Sequence, residues 1–282
     1  MKVLYVADLH GSEWKYERIF KEALSEQVDL VINGGDMLPI GGINLFDQDK
    51  FIKNFLIDYF AAFNKKKIYY LCYLGNDDLM IFDPLLEEVC GKYDFIIPIA
   101  QRKVELGEFE FIGMNWVVDY PFGLKDRCRK DTPDYVFQKQ FGKAVLSTPT
   151  GWKKIDDWFS YAATIPTFED ELENLVRPNK MENTIYVIHM PPANLDLDVC
   201  QDGRKVGSNA LYNFLKENQP KFSLHGHIHE SPEVSGKWYN SLGKTICIQP
   251  GQSGHHGNYL SYVIIDLETM KFERMVKINA SK

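Results

Sequence analysis

Seven polar side chains stand just after short apolar segments, in a pattern suited to binding metal ions. Each segment is rich in β-forming residues and stops in glycine together with a carboxylate, an imidazole or a carboxamide. The seven residues are Asp8, His10, Asp36, Asn76, His189, His227 and His229. Mixed nitrogen and oxygen donors suit Mn, Fe, Co, Ni or Zn better than Mg or Ca, which prefer oxygen alone.

Seven donors are too many for one tetrahedral metal ion and suit two metals that share a bridging carboxylate. Two metals about 3.5–4 Å apart can hold a hydroxide between them and neutralise the oxygens of a phosphoryl group. The pattern therefore indicates hydrolysis of a phosphoester. If the last block is extended, His227 and His229 point to the same side, whereas His225 points to the other side and has a structural role.

Apolar segments alternate with helical patterns in the first third of the chain. Strands are predicted at 3–7, 29–32 and 68–74, and helices at 14–27 and 51–63. This order predicts a parallel sheet with right-handed crossovers, whose strand carboxyl ends form a ligand-binding edge. The later strands are predicted at 103–106, 110–113, 184–188, 221–224, 245–248, 260–266 and 272–278.

A long stretch between residues 120 and 166 shows only weak periodicity. We expect an irregular excursion that covers the site, within a single domain over residues 1–282. Its basic residues form either a surface loop or an anion clamp over the site, and they are Lys125, Arg127, Arg129 and Lys130. Aromatic residues between Trp152 and Tyr161 are candidates for stacking on a nucleobase.

Composition places the chain among ordinary folded proteins. Its 282 residues are 45% hydrophobic and 25% charged, which excludes disorder of the whole chain. A net charge of −7 argues against non-specific binding to nucleic acid. The five cysteines form no CxxC pair, and no apolar run reaches the about 18 residues of a membrane helix. We therefore expect reduced thiols and a cytoplasmic protein without a membrane partner.

The order of these motifs resembles the calcineurin-like metallophosphoesterase family. The matching blocks are Asp8-x-His10, Gly34-Gly35-Asp36, Gly75-Asn76-Asp77-Asp78, His189 and Gly226-His227-Ile228-His229. They span about four fifths of the chain, and their number and order make the signal strong. The resemblance implies an α/β fold, a four-layer α/β/β/α sandwich in which helices flank two β-sheets.

The resemblance also implies how the metals are held. The first metal would take Asp8, His10, Asp36 and His229, and the second would take Asp36, Asn76, His189 and His227, with Asp36 as the bridge. The expected cofactors are two divalent ions, with Mn first and Fe, Ni, Co or Zn as alternatives.

Position 77 departs from the family pattern, which usually has histidine there to stabilise the phosphoryl group or protonate the leaving oxygen. Here Asp77 stands instead, and an ionised carboxylate neither donates a proton nor attracts a phosphate. Three explanations are open. Asp77 turns aside or adds a metal ligand, His255 or His256 supplies the imidazole, or the leaving group needs little protonation.

Candidate roles follow for the residues around the metals. Asp77 and Asp78 are the candidate catalytic residues, and the candidate substrate-binding residues are Asn76, His227, His255 and Arg127. The predicted function is hydrolysis of a phosphodiester or nucleotide-like substrate by a metal-bridging hydroxide, because relatives without the histidine tend toward diesters.

Two other functions stay open. A phosphomonoesterase, which includes protein phosphatases, is the enzymatic alternative, and an exonuclease is disfavoured because the chain is acidic. A protein-interaction scaffold that retains the fold is the non-enzymatic alternative, although a scaffold has no physical need for all seven donors. The expected partner is a small phosphoester, nucleic acid is not favoured, and a homo-oligomer is compatible with the sequence.

Overall fold

The computed structural model describes residues 1–42, 44–252 and 258–279. Two six-stranded β-sheets pack face to face, and helices cover the outer face of each sheet. The predicted α/β class and four-layer sandwich are therefore confirmed. Among the helices of these ranges, none is both long and apolar enough to cross a membrane.

The first sheet, sheet A, contains the predicted parallel strands. Its members are β1 Lys2–Val6, β2 Leu30–Asn33, β3 Tyr69–Cys72, β4 Ile96–Pro98, β15 Tyr259–Asp266 and β16 Lys271–Ile278. The spatial order is β16-β15-β1-β2-β3-β4, and β1 to β4 run parallel. Strands β15 and β16, both predicted from the sequence, form an antiparallel hairpin that joins the sheet through β1.

The second sheet, sheet B, is built from the later part of the chain. Its strands are β5 Lys103–Leu106, β6 Phe109–Met114, β11 Thr184–Ile188, β12 Phe222–Leu224, β13 Tyr239–Leu242 and β14 Thr245–Ile248. The spatial order is β13-β14-β12-β11-β6-β5. Strands β6, β11, β12 and β14 are parallel, and antiparallel strands close both edges.

Helices surround the sheets, and eight α-helices fall within the described ranges. They are α1 Glu13–Ser25, α2 Gln48–Phe51, α3 Ile57–Lys66, α4 Asp83–Cys90, α5 Trp158–Ala162, α6 Phe168–Asn174, α7 Asn209–Asn218 and α8 Ser231–Ser235. A π-helical segment, Ile52–Leu56, joins α2 to α3. Helices α1, α3 and α4 pack on sheet A, and α6 and α7 pack on sheet B.

The excursion is more regular than its sequence predicts. Strands β7 Val117–Val118 and β8 Cys128–Arg129 pair in parallel, and β9 Ala144–Thr148 and β10 Gly151–Ile155 form an antiparallel hairpin. The weak periodicity arises because the strands are short and because little of either face of the β9–β10 hairpin is buried.

Candidate metal centre

The seven predicted ligands follow strands whose carboxyl ends meet at one edge of the sandwich. Sheet A contributes Asp8 and His10 after β1, Asp36 after β2 and Asn76 after β3. Sheet B contributes His189 after β11, and His227 and His229 after β12. The strands that precede the donors are parallel within each sheet, so their carboxyl ends lie on the same side.

Four of these residues have left-handed backbone. The φ angles are 60° at Asp8, 45° at His10, 51° at Asp36 and 72° at His227. Such values are uncommon for residues other than glycine and are typical of functional sites, because the surrounding fold must hold the strain. The condition under which His227 and His229 would point to the same side, an extended segment, is not met at His227. The chain turns at His227, and this turn sends the two imidazoles to different groups of donors.

The first group of donors contains Asp8, His10, Asp36 and His229. One donor atom from each lies within 4.8 Å of the others. The Nε2 atoms of His10 and His229 are 3.0 Å apart. Only one proton fits between two imidazole nitrogens at this distance, whereas a cation can accept a lone pair from each. This group has the donor types and the spacing to hold a divalent ion.

The second group lies on the other side of Asp36. Nε2 of His189 is 3.3 Å from Oδ2 of Asp36 and 2.9 Å from Oδ1 of Asn76. Nδ1 of His227 is 2.6 Å from the same amide oxygen. The structure thus brings Asp36, Asn76, His189 and His227 together, and Asp36 has a place in both groups.

Buried polar atoms around these groups fit a bound cation. Nδ1 of His189 lies 2.7 Å from the carbonyl oxygen of Gly34, which can only accept, so this nitrogen carries the proton and Nε2 is left to bind. Oδ2 of Asp8 is buried and has no hydrogen-bond partner among the described residues. A carboxylate oxygen buried in this way is costly unless an ion compensates it.

Burial and charge set the ionisation of the four imidazoles. Burial keeps His10 and His227 neutral by lowering the pKa of His10 to about 4 and that of His227 to about 3. Burial also acts against protonation of His189 and His229, but neighbouring carboxylates outweigh it and raise the pKa of each to about 9. The same carboxylates would attract a divalent ion, and metal binding would then displace those protons.

Two glycines are required by close approach in this region. A Cβ at Gly75 would fall on the carboxylate and amide of Asp36, and a Cβ at Gly226 would lie 2.9 Å from Oδ2 of Asp8. These glycines therefore let the ligand-bearing loops meet.

Asp77 faces the site but also bonds to its neighbours. Its backbone amide donates to Oδ1 of Asp36 at 2.9 Å, and its carboxylate accepts from Nδ2 of Asn76 at 2.9 Å. Burial and the carboxylate of Asp36 raise the pKa of Asp77 to about 7. A divalent ion nearby would oppose this shift, because positive charge favours the ionised form.

Asp78 connects the two ligand-bearing loops of sheet A. Its fully buried carboxylate accepts from the backbone amides of Met37, Leu38 and Gly75 at 2.8–2.9 Å. A group enclosed in this way does not reach a substrate. The catalytic role predicted for Asp78 is therefore replaced by a positioning role.

Gln48 was not predicted as a site residue, yet it holds the same loops. It is fully buried, and Nε2 donates to the carbonyls of Pro39 and Asp77 while Oε1 accepts from the amide of Leu79. The sequence signal that could have identified Gln48 was its position as a polar residue just before the apolar helical pattern at 51–63.

The structure also corrects the assignment of Arg127 to substrate binding. Arg127 is buried, its Nε donates to the carbonyl of Gly75 at 2.8 Å, and its Nη2 donates to Asp83 at 2.6 Å. Its charge is thus used to hold the loop before Asn76. Lys125 and Arg129 are buried as well, with carboxylate partners Asp119 and Glu171. These three cations form neither an exposed loop nor an anion clamp.

A cavity of about 540 Å³ opens beside the second group of donors. Asp36, Asn76 and His227 form its floor, and the excursion contributes a wall that includes Tyr120, Phe122 and Phe141. The excursion therefore borders this cavity.

The residues chosen as stacking candidates, 152–161, do not line this cavity. Trp152 contacts Phe46, with ring centroids 4.8 Å apart, and Nε1 of Trp158 donates to Asp119. The candidates His255 and His256 lie outside the described residues.

Comparison with known proteins assigns the family. The model of the calcineurin-like phosphoesterases matches residues 1–231. The chain therefore belongs to the calcineurin-like phosphoesterase family, whose members bind divalent metals, and the predicted resemblance is confirmed. The comparison with curated proteins found no match.

Solved structures share the fold at low sequence identity. One crystal structure is 17% identical, with 99% of both chains covered and a TM-score of 0.59. TT1561 of Thermus thermophilus is 14% identical, with 97% of both chains covered and a TM-score of 0.59. An archaeal phosphodiesterase is 13% identical, covering 98% of this chain and 99% of its own, and its TM-score of 0.46 is too low to support a comparison. At these identities the likeness concerns the fold alone.

Proposed function

We propose that this protein is a dinuclear metal-dependent phosphoesterase that hydrolyses phosphodiesters. The observation that carries the proposal is the convergence of seven donors in two groups that share Asp36, beside a cavity open to substrate. Divalent ions held there, with Mn²⁺ as the first candidate, would supply an activated water and positive charge for the phosphoryl oxygens.

The residues of the chain have separate tasks in this proposal. Asp36 contributes to both groups, and the carbonyl of Gly34 fixes the tautomer of His189. Asn76 and His227 reach the floor of the cavity and are placed to contact phosphoryl oxygens. The turn at His227 lets Nδ1 point toward Asn76, while its backbone amide donates to Asp8 at 3.1 Å.

The walls of the cavity favour a diester over a monoester. Among the described residues that line it, Arg204 is the only lysine or arginine, and it is paired with Asp202 at 2.7 Å. A phosphomonoester brings a second negative charge that these walls do not neutralise, whereas a diester has one charge and a further organic group. The apolar wall formed by Val118, Pro121 and Met190 suits that group.

Matched nitrophenyl esters test this choice. With Mn²⁺ restored to chelator-treated protein, kcat/KM for bis(p-nitrophenyl) phosphate is expected to exceed that for p-nitrophenyl phosphate. The reverse order would overturn the diester assignment in favour of a phosphomonoesterase.

The count of metal ions tests the dinuclear part separately. Calorimetric titration of the chelator-treated protein with Mn²⁺ is expected to show two equivalents, and saturation at one equivalent would contradict two metals. Two bound equivalents without turnover of either ester would favour the scaffold.

A further inference from the structure

Three aromatic side chains form a row that runs from the metal centre to the rim of the cavity. Ring centroids lie 5.9 Å apart between His227 and Tyr120, 6.0 Å between Tyr120 and Phe122, and 5.8 Å between Phe122 and Phe141. These spacings are those of interacting aromatic rings. The row therefore continues the floor of the cavity outward as an aromatic surface.

The outer two rings are unusually open for their size. Phe122 is 61% exposed and Phe141 is 65% exposed, whereas Tyr120 is almost buried. Exposing a large apolar side chain is unfavourable, and two adjacent ones beside a cavity are typical of a binding surface.

Hydrogen bonds hold the backbone at Phe141 and the ring of Tyr120. The amide of Phe141 donates to the carbonyl of Pro121 at 2.8 Å, and the hydroxyl of Tyr120 donates to the carbonyl of Leu124 at 2.7 Å. A surface whose backbone is held in this way loses less conformational entropy when a ligand stacks on it.

The lining of the cavity also has a polar part. It contains Gln201, Asp202, Arg204 and Glu230. A flexible alkyl chain would remove water from these groups without replacing their hydrogen bonds. A planar ring with polar edges can place its face on the aromatic row and still form hydrogen bonds with polar groups at its edge.

We propose that Tyr120, Phe122 and Phe141 form a subsite for a planar aromatic substituent of the substrate, of which a nucleobase is the commonest biological example. This inference rests on the proposed function, because the phosphoryl group must be held at the metal centre for its substituent to reach the row. The subsite selects among phosphoesters by the organic substituent on the phosphoryl group. The chemistry at phosphorus is unchanged.

Two phosphonates that differ only in their substituent test the subsite. Phenylphosphonate and methylphosphonate share the anionic group, and neither is a phosphoester. Calorimetry on the Mn²⁺-loaded protein is expected to show about tenfold tighter binding of phenylphosphonate, since stacking on aromatic side chains commonly contributes that much. Equal affinities would overturn the proposal.

Variants connect the preference to the named rings. F122A/F141A is expected to bring the two affinities within about twofold, because the stacking contribution is lost, and to leave methylphosphonate binding unchanged. F122Y/F141Y keeps both rings and should keep the preference. F159A removes another exposed ring of the excursion, one that does not line this cavity, and serves as the matched control. A preference that survives in F122A/F141A would overturn the proposal.

The binding measurement separates this inference from the proposed function. Phenyl selectivity without any ester hydrolysis would contradict the phosphoesterase and leave the subsite standing. Hydrolysis of bis(p-nitrophenyl) phosphate with equal phosphonate affinities would contradict the subsite alone.

Discussion

Asp77 bonds to residues on both ligand-bearing loops of sheet A. Its amide donates to Asp36, its carboxylate accepts from Asn76, and its carbonyl accepts from Gln48. These bonds orient two of the predicted ligands and give this position a use that needs no proton donor. Of the three explanations for the departure from the family pattern, we propose the leaving group that needs little protonation.

Introducing an imidazole at this position tests that explanation. Asp77→His is expected to raise turnover of diphenyl phosphate about tenfold relative to bis(p-nitrophenyl) phosphate, since general acid catalysis helps the poorer leaving group. Turnover of the two esters is measured side by side with Mn²⁺. Asp77→Asn keeps the shape without an imidazole and should show no such gain. An unchanged ratio in Asp77→His would mean that residue 77 does not limit protonation.

At the scale of elements, Asp78 joins the loop after β2 to the loop after β3. Asp78→Asn places an amide group against backbone amides that now donate to the carboxylate. We expect the free energy of unfolding in urea to fall by about 1–3 kcal/mol, the cost of unsatisfied buried donors. Asp94→Asn changes an exposed aspartate and is the control. Equal stability of the two variants would contradict the claim that Asp78 joins these two loops.

Glu110 on β6 ties sheet B to the segment before β11. Burial raises its pKa, but the hydrogen bond from Lys103 and those from the amides of Asn179 and Lys180 outweigh burial and lower the pKa from 4.5 to about 2. A carboxyl group whose pKa is lower in the folded protein than in the unfolded chain stabilises the fold at pH values above the pKa of the unfolded chain. This stabilisation is therefore complete above about pH 4.5 and is lost as the pH falls toward 2.

Glu110→Gln tests this pH dependence. The variant is expected to be less stable than the wild type by about 1–3 kcal/mol at pH 7, and the difference should shrink between pH 4.5 and pH 2. Denaturation at several pH values measures it. Glu105→Gln alters an exposed neighbour that contacts the same lysine and is expected to have little effect. A difference that does not depend on pH would contradict the assignment.

Elements with a clear hydrophobic period were predictable, and departures from that period were not. The parallel strands follow from apolar segments, and so do the strands that pair in the β5–β6 and β15–β16 hairpins. Backbone turns that depend on contacts between distant residues could not be predicted from the sequence. The left-handed turn at His227 is fixed partly by a bond from its amide to Asp8, which is far away in the chain.

At the scale of the whole molecule, the site exists because two sheets meet. The hydroxyl of Tyr5 donates to the carbonyl of His225 at 2.7 Å, and His189 bonds to Gly34 across the same interface. The polar residues at the strand ends were recognisable from the sequence. Their division into two groups of metal donors depends on contacts between the sheets, and it was predicted only from the family resemblance. The buried ion pair of Lys125 and Asp119 could not be predicted, because the sequence shows a basic segment but not which carboxylates its side chains contact.

Hydrolysis of bis(p-nitrophenyl) phosphate by the chelator-treated protein, with and without added Mn²⁺, tests the central claim most directly. Nitrophenolate leaves without a proton donor, so the assay isolates the metal centre from position 77. We predict turnover that requires the metal and falls at least about a hundredfold in Asp36→Asn, because Asp36 contributes to both groups of donors. Asp94→Asn should keep full activity. Turnover that persists with chelator, or that survives in Asp36→Asn, would contradict the account.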